Sequence, residues 1–289
     1  MFHPAALDVT PAQASAAAAA LSARLGQKYP ETHCLVEEMR HLLAGCNLQT
    51  ACTPGADPEN LLPAKRPTVS RGKRDRLSDI DGALPTASSF AEDLLLEYAE
   101  GMPKARVGWG RVDEAQLRRL LTLHSDYFDL VPRTPAIARL EGSNLLFHIA
   151  HTLEQGWRQK PVEGAIGPTG AKVVMLVGHD TNLASLAALP GVHWQLDGRR
   201  DDTPPGTEMR FELWQDASGA YSVRVTAAMQ TLHQLREALA LTLAAPPACA
   251  TVKPAGASRM GAGVPWSEFE RIANSVIDKQ AVSPLRAGE

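Results

Sequence analysis

The sequence predicts a mixed fold in which a helical first half is followed by a half that combines strands and helices. Helical spacing of apolar residues dominates the first 155 residues. A continuous apolar run of strand length then spans Val173–Val177, and two segments of alternating apolar and polar residues follow at 208–214 and 220–225. This order of elements indicates two domains, or two layers of one interleaved fold.

The composition is that of an ordinary globular protein with enough residues to bury a sizeable core. The chain has 289 residues, of which 44% are hydrophobic, and a formal net charge of −3. Because there is no overall basic field, nucleic acid is not an expected partner. No apolar run reaches the length of a membrane span, and the first residues lack the basic and apolar regions of a secretory signal.

In the first half, the predicted helices begin and end at residues that commonly cap helices. Thr10 and Pro11 predict the start of an alanine-rich helix that ends near Gly26, and a second helix is predicted over 32–44. Residues 46–86 are rich in proline, glycine and charge, and predict a long loop. Further helices are predicted over 88–100, 113–130 and 135–155.

Two features of the predicted loop leave alternatives open. Six basic residues between Lys65 and Arg76 are typical of a solvated surface, and only secondarily attract anionic substrates. A disulfide between Cys46 and Cys52 is as plausible as two free thiols, depending on the redox compartment. The four cysteines form no C-x-x-C pair, so neither a zinc site nor a thioredoxin-like site is predicted.

In the second half, the predicted strand leads through His179 and Asp180 into a predicted helix over 182–189. The two alternating segments predict an antiparallel hairpin, because turn residues at 216–219 join them. Further helices are predicted over 230–239 and 266–277.

The adjacent pair His179 and Asp180 is the main candidate for chemistry. A strand that ends in Gly-His-Asp and turns into a helix puts both side chains at the carboxyl edge of a sheet, where open α/β folds place their sites. A protonated imidazole can donate to a phosphoryl oxygen, and a carboxylic acid can protonate a departing alkoxide. The following helix N-terminus, at Thr181 and Asn182, adds N–H groups that favour anions. The alternative for the pair alone is a helix cap with a satisfied histidine.

Five segments of the chain are similar to one known family. They are EGMPKARVGWGRV (100–112), PRTPAIAR (132–139), GHDTNLASLAAL (178–189), DDTPPGTEMRFELW (201–214) and QTLHQLREA (230–238). On these motifs, which occur in the family's order and at its approximate spacing, the chain resembles the histidine acid phosphatases. Within that family it resembles the bacterial phytase and glucose-1-phosphatase branch.

The resemblance implies a phosphoglycerate-mutase-like α/β fold with an inserted all-α domain. Residues 1–160 would be mostly helical and hold the inserted domain, and residues 161–289 would hold the C-terminal part of the phosphatase core. It also implies hydrolysis of phosphomonoesters at acid pH in the periplasm, without a metal or cofactor. The expected partner is a phosphorylated small molecule, such as an inositol phosphate or a sugar phosphate, and the threonine after the His-Asp pair favours the phytase-like branch.

The resemblance also implies roles for individual residues. In the family, the histidine of an R-H-G-x-R-x-P signature attacks phosphorus and becomes a phosphohistidine. By motif, His179 would bind phosphate and Asp180 would be the general acid, with Thr181 beside them, while Met102 would line the substrate pocket. Acid pH follows from these roles, because Asp180 must be protonated to donate and His179 must be protonated to bind phosphate.

The family's nucleophile signature does not occur in these 289 residues. Arg40-His41 is followed by leucine within a predicted helix, so it is not a substitute. The first residues resemble a point well inside the family's sequence, so a truncation that removes the signal peptide and the nucleophile strand is expected. Such a loss would leave the Val173–Val177 strand with unpaired backbone groups and an uncovered apolar face. The alternative function is therefore an inactive homologue that acts at most as a phosphate-ester binding or structural fragment.

Other candidates have simpler interpretations. His148 and His151 are three residues apart, a spacing found in metal sites, but without a third ligand they are expected to lie on an ordinary helix face. Residues 164–172 are glycine-rich, but they lack the G-K-[ST] ending of a phosphate loop and precede a strand. His124 is predicted to be structural, and Trp109 and Trp214 are predicted to pack in the core or at a domain interface and not to stack on a ligand.

Overall fold

The structure is a computed structural model that describes residues 9–44, 61–72, 77–258 and 263–283. The predicted pairing of Cys46 with Cys52 and part of the basic run lie outside these residues. Within the described ranges, none of the helices combines the length and the apolar character that a membrane crossing requires.

The first helix, α1, continues without interruption over Pro11–Ala44. The predicted cap is confirmed, because the side-chain oxygen of Thr10 accepts a backbone N–H of the first turn at 3.2 Å. The predicted division into two helices is wrong, and Pro30 lies inside the helix. Leu21 on one side of it and Met39 on the other are buried in the same core. This packing keeps α1 continuous although proline removes one backbone donor.

A short hairpin lies in the segment that was predicted to be a loop. Strand β1 (Thr68–Arg71) pairs antiparallel with β2 (Ser78–Asp81). Val69 and Ile80 face each other in this pairing and pack against the helical core. Four-residue strands are too short for their alternation to be distinguished from a charged loop in the sequence.

The other helices of the first half lie close to their predicted positions. Asp113 caps the helix that begins at Glu114, because its Oδ1 accepts the N–H of Gln116 at 2.8 Å. The predicted helix over 113–130 is divided at Leu121 into two pieces. The helices are α2 (Ala83–Ala99), α3 (Glu114–Leu120), α4 (Thr122–Leu130) and α5 (Pro135–Arg158).

The second half contains a four-stranded antiparallel sheet. The predicted hairpin is confirmed, since β5 (Glu208–Gln215) pairs with β6 (Tyr221–Met229). Strand β6 also pairs with β7 (Ala248–Val252) and β8 (Val264–Pro265). A small hairpin, not predicted, is formed by β3 (Gln195–Leu196) and β4 (Arg199–Arg200). The helices are α6 (Asp180–Ala188), α7 (Leu232–Arg236) and α8 (Trp266–Val276).

Among the residues that the structure describes, buried apolar side chains form two clusters. The first lies among α1 to α4, and the second lies between the sheet and helices α5, α6 and α8. Helix α5 belongs to both, because Ile137 packs in the first cluster and Leu145 and Leu146 pack in the second. The division into domains at residue 160 stays a prediction.

The segment that precedes α6 differs from the prediction of a buried strand. Residues 173–179 have no strand pairing within the described part of the chain. The side chains of Val173, Met175 and Val177 are 81%, 82% and 87% exposed, whereas Leu176 packs against the second cluster. A strand that is apolar on both faces is stable only when both faces pack against other elements, and here only the face that carries Leu176 does so. One face of this segment is therefore apolar and exposed.

Replacing Val173, Met175 and Val177 together by lysine is expected to reduce surface hydrophobicity with little effect on stability. Side chains this exposed contribute within about 0.5 kcal/mol to the free energy of unfolding. The measurement is the fluorescence of an apolar dye and light scattering, which should both decrease. A loss of stability well above that value in urea unfolding would show that the three side chains are buried in solution.

Candidate functional site

The predicted pair lies where α6 begins. His179 occupies the capping position in an extended conformation, with φ −113° and ψ 166°. Its backbone N–H donates to Oδ1 of Asn182 at 2.9 Å, and its carbonyl oxygen accepts the N–H of Asn182 at 3.0 Å. This reciprocal bonding fixes the entry of the chain into the helix. A Cβ on Gly178 would come within 2.9 Å of the same Asn182 oxygen, so glycine allows this close approach.

The two side chains of the pair differ in their surroundings. The His179 ring is exposed, while Asp180 and Thr181 are half-buried. Oδ1 of Asp180 accepts the backbone N–H of Thr181 at 2.6 Å, which leaves Oδ2 to carry a proton. Within the described part of the chain, neither His179 nor Asp180 forms an ion pair. Both groups are therefore available to a ligand at a helix N-terminus.

The position of α6 depends on close packing with α5. The buried residues Ala184, Leu186 and Ala187 lie on the covered face of α6. A Cβ on Gly142 of α5 would lie 3.0 Å from the carbonyl oxygen of Ser185, so the absence of a side chain lets the two helices approach closely. This contact holds the pair against the long helix that joins both core clusters.

Met102 lies in the helical half, where it packs against the first core cluster. It lines a cleft of about 500 Å³. The cleft is mostly apolar, with carboxylates among its lining residues. His179, Asp180 and Thr181 are neighbours in sequence and lie together at the start of α6, whereas Met102 lies in the helical half of the chain. The role of Met102 in a substrate pocket stays a prediction. The other lining residues are Met39, Leu42, Leu43, Phe90, Asp93, Leu94, Leu96, Glu97, Glu100 and Trp109.

The spaced histidines of α5 bond to backbone oxygens. His148 is buried, with Nδ1 2.7 Å from the Gly164 oxygen and Nε2 3.1 Å from the Ser283 oxygen. Nδ1 of His151 lies 2.6 Å from the Glu163 oxygen. Both rings therefore tie neighbouring segments to the helix, which supports the helix-face interpretation.

Among the other aromatic residues for which a prediction was made, His124 is buried and the two tryptophans are exposed. His124 is structural as predicted, because it is buried and its ring stacks on Phe128 at 4.3 Å. Trp109 and Trp214 do not lie in the core, one of the two places predicted for them, since they are 63% and 45% exposed. Trp109 has a positive φ of 59° between two glycines, and Trp214 lies beneath the guanidinium of Arg224 at 4.4 Å. The turn and the sheet face direct these rings outward.

A network of buried charges was not predicted. Asp202 is almost fully buried and forms an ion pair with Arg199 at 2.7 Å. Its neighbour Asp201 is also buried and lies 3.7 Å from Arg133. The DDTPPG motif that marks the family therefore contains two carboxylates with structural partners. Two adjacent aspartates before a proline turn were a visible signal, but their partners are too distant in sequence to infer.

Comparison with known proteins identifies the group to which these features belong. A sequence profile described as "Histidine phosphatase superfamily (branch 2)" matches residues 13–227. The chain is 39% identical to phytase AppA of Escherichia coli (strain K12) over 183 residues, which are 63% of this chain and 41% of that protein. It is 30% identical to the glucose-1-phosphatase of Salmonella typhimurium over 200 residues, which are 68% of this chain and 46% of that protein.

The solved structures agree with the sequence comparison. The apo form of Hafnia alvei phytase superposes with a TM-score of 0.80 at 31% identity, and the match covers 98% of this chain and 70% of that one. The predicted fold, that of the bacterial phytases, is thereby confirmed. The chain nevertheless spans less than half the length of the curated relatives that it matches.

Proposed function

Because the chain belongs to the histidine phosphatase superfamily (branch 2), we propose that it provides the proton donor and one phosphate-binding group of a phosphomonoesterase site. The observation that supports this most directly is the His179–Asp180 pair at the start of α6, where both side chains lack ion-pair partners within the described residues. An exposed imidazole at the N-terminus of a helix, where the helix dipole is positive, suits a phosphate group. A carboxyl group with one oxygen free suits proton donation.

In the proposed reaction, the signature histidine of the family attacks phosphorus while the bond to the ester oxygen breaks. His179 would hold the non-bridging oxygens, and Asp180 would give its proton to the departing oxygen. Water then attacks the phosphohistidine, and the Asp180 carboxylate takes a proton from that water, so the enzyme and the acid are restored together. The attacking histidine is not among these 289 residues, since they contain no R-H-G-x-R-x-P.

The proposed substrates are inositol phosphates or sugar phosphates. The relatives are named phytase and glucose-1-phosphatase, and one solved relative is Hafnia alvei phytase in complex with myo-inositol hexakis sulphate. Thr181 after the pair favours the phytase-like choice, with Met102 as a further contact. A periplasmic location, implied by the same resemblance, belongs to this proposal.

A second candidate is a catalytically inactive homologue. Two observations favour it: the missing signature, and the exposed apolar residues over 173–177 that no described strand covers. In that case the His179–Asp180 pair would at most bind a phosphate ester.

The two candidates are separated by assaying two chains with p-nitrophenyl phosphate at acid pH. One is the 289-residue chain, and the other is the same chain preceded by the part of Escherichia coli phytase AppA that lies before the matched region. We expect turnover and trapped phosphohistidine only in the lengthened chain, with loss of both when its signature histidine is replaced by alanine. A lengthened chain that unfolds cooperatively but shows no turnover would support the inactive homologue. Turnover by the 289 residues alone would contradict the proposed division of roles.

A further inference from the structure

A second histidine–aspartate pair lies away from His179 and Asp180. Nδ1 of His193 is 2.6 Å from Oδ2 of Asp201, and the two side chains are 51% and 4% exposed. The other carboxylate oxygen, Oδ1, accepts the backbone N–H of Trp194 at 2.9 Å. The buried carboxylate beside Nδ1 holds the ring in one orientation, and Nε2 lies 3.5 Å from Nη2 of Arg133, while half of the imidazole faces solvent.

This pair lies at the opposite end of α6 from the candidate site. The N–H of Val192, next to His193, donates to the Ala187 oxygen near the end of α6 at 2.8 Å. His179 caps the start of the same helix. A nine-residue helix is about 13 Å long at 1.5 Å per residue, so one small ligand does not reach both pairs.

Three positively chargeable groups share the single oxygen Oδ2 of Asp201. His193 bonds to it, Nε of Arg200 lies 3.5 Å away, and Nη2 of Arg133 lies 3.7 Å away. The Arg200 side chain is 62% exposed and lies beside the exposed imidazole. One carboxylate does not neutralise three cations, so the surface between His193 and Arg200 is positive when the imidazole is protonated.

Arg133 contributes a charge that the described residues do not fully satisfy. Its side chain is 3% exposed. Nη2 donates to the Val192 oxygen at 2.6 Å and lies 2.8 Å from Nδ1 of His193, whereas Nε and Nη1 have no hydrogen-bond partner in the described part of the chain. Burial lowers the pKa of Arg133, and attraction to Asp201 and Asp129 opposes this. Asp129 is itself paired with Arg24 at 3.0 Å, so it does not cancel the excess.

The backbone that carries the carboxylate is in the left-handed region and is fixed by hydrogen bonds. Asp201 has a φ of +49°, which is uncommon for a residue other than glycine. Its N–H donates to the Trp194 oxygen at 3.0 Å, so two bonds with Trp194 hold this geometry.

We propose that His193 and Arg200, backed by the buried Asp201 and Arg133, form a second binding site for a small tetrahedral oxyanion, the phosphate group of an ester or inorganic phosphate. The exposed guanidinium and imidazole donate to the anion from two sides, and Arg133 adds positive potential from beneath. The site depends on these residues alone and is independent of catalysis at His179 and Asp180.

The test follows the ring resonances of His193 in protein labelled with ¹⁵N-histidine, with His179→Gln present to silence the first pair. Inorganic phosphate at about pH 5.5 should shift these resonances along a saturable curve. Sulfate, which presents the same tetrahedral set of oxygens, should shift the same resonances along a saturable curve. Phenylphosphonate mimics a phosphate ester. If it binds more tightly than inorganic phosphate, an ester is the better ligand, and if it binds more weakly, free phosphate is.

Arg200→Gln should weaken phosphate binding about tenfold, because one charge-assisted contact is removed. The matched control is Arg271→Gln, which alters an exposed arginine on α8 and should change nothing. Thermal unfolding establishes that both variants are folded. A linear, unsaturated shift, or one that is equal in Arg200→Gln and in the unsubstituted protein, would show an adventitious ion only and would overturn the proposal.

Discussion

Asp180→Asn in the lengthened chain is expected to slow hydrolysis of an alkyl phosphate by about 10²–10⁴-fold, because general acid catalysis contributes that much when an alkoxide departs. Asparagine keeps an oxygen for the N–H of Thr181, which Asp180 accepts at 2.6 Å, so the helix start should be preserved. The measurement is kcat for glycerol phosphate at acid pH.

The same variant should slow hydrolysis of p-nitrophenyl phosphate much less. The p-nitrophenolate ion is a stable leaving group and does not need the proton. The comparison of the two substrates is thus an internal control for folding and for phosphate binding. If both substrates slow equally, Asp180 acts in binding or in structure, and its assignment as the proton donor is wrong.

Asp197→Ala is expected to lower the free energy of unfolding by about 2–3 kcal/mol, because the N–H of Leu232 and the guanidinium groups of Arg118 and Arg199 each lose one acceptor. Oδ2 of Asp197 lies 3.3 Å from Arg118 and 3.4 Å from Arg199, and accepts the N–H of Leu232 at 2.8 Å. The residue also has a φ of +49°, which alanine tolerates poorly. Urea unfolding at neutral pH measures the loss.

The matched control is Asp197→Asn, which should cost clearly less. Asparagine accepts the Leu232 N–H and tolerates a positive φ, so only the charge is removed. Burial works against the charged form of Arg118, but its bonds to Glu114 and Asp197 outweigh this and raise the pKa of Arg118. If both variants lower the free energy of unfolding equally, the whole effect comes from the charge of Asp197. If Asp197→Ala does not lower it, the network does not stabilise the fold.

Glu114, which bonds to Arg118 in the same network, determines why the urea unfolding of the Asp197 variants is measured at neutral pH. A hydrogen bond from Arg118 lowers the pKa of Glu114 below its ordinary value. Its stabilising contribution is therefore present above the ordinary carboxyl range and is lost as pH falls through the lowered value. Neutral pH keeps this contribution constant, so the two Asp197 variants are compared on the same background.

The sequence by itself determined the elements whose signals are local. Thr10 and Asp113 were recognisable caps, and the hairpin of β5 and β6 followed from alternation and a turn. The His179–Asp180 pair and the family motifs were also readable from the chain alone. In each case the residues that produce the structure are neighbours in sequence, so their hydrogen bonds or their repeat are visible as a pattern.

Only the tertiary structure decided features that depend on distant partners. Packing of residues on both sides of Pro30 kept α1 whole, and the absence of a described partner strand left Val173 to Val177 exposed. The contact of Arg118 with Asp197 joins residues 79 positions apart. Local patterns record what a segment can form, whereas burial and charge compensation depend on what lies opposite it in space.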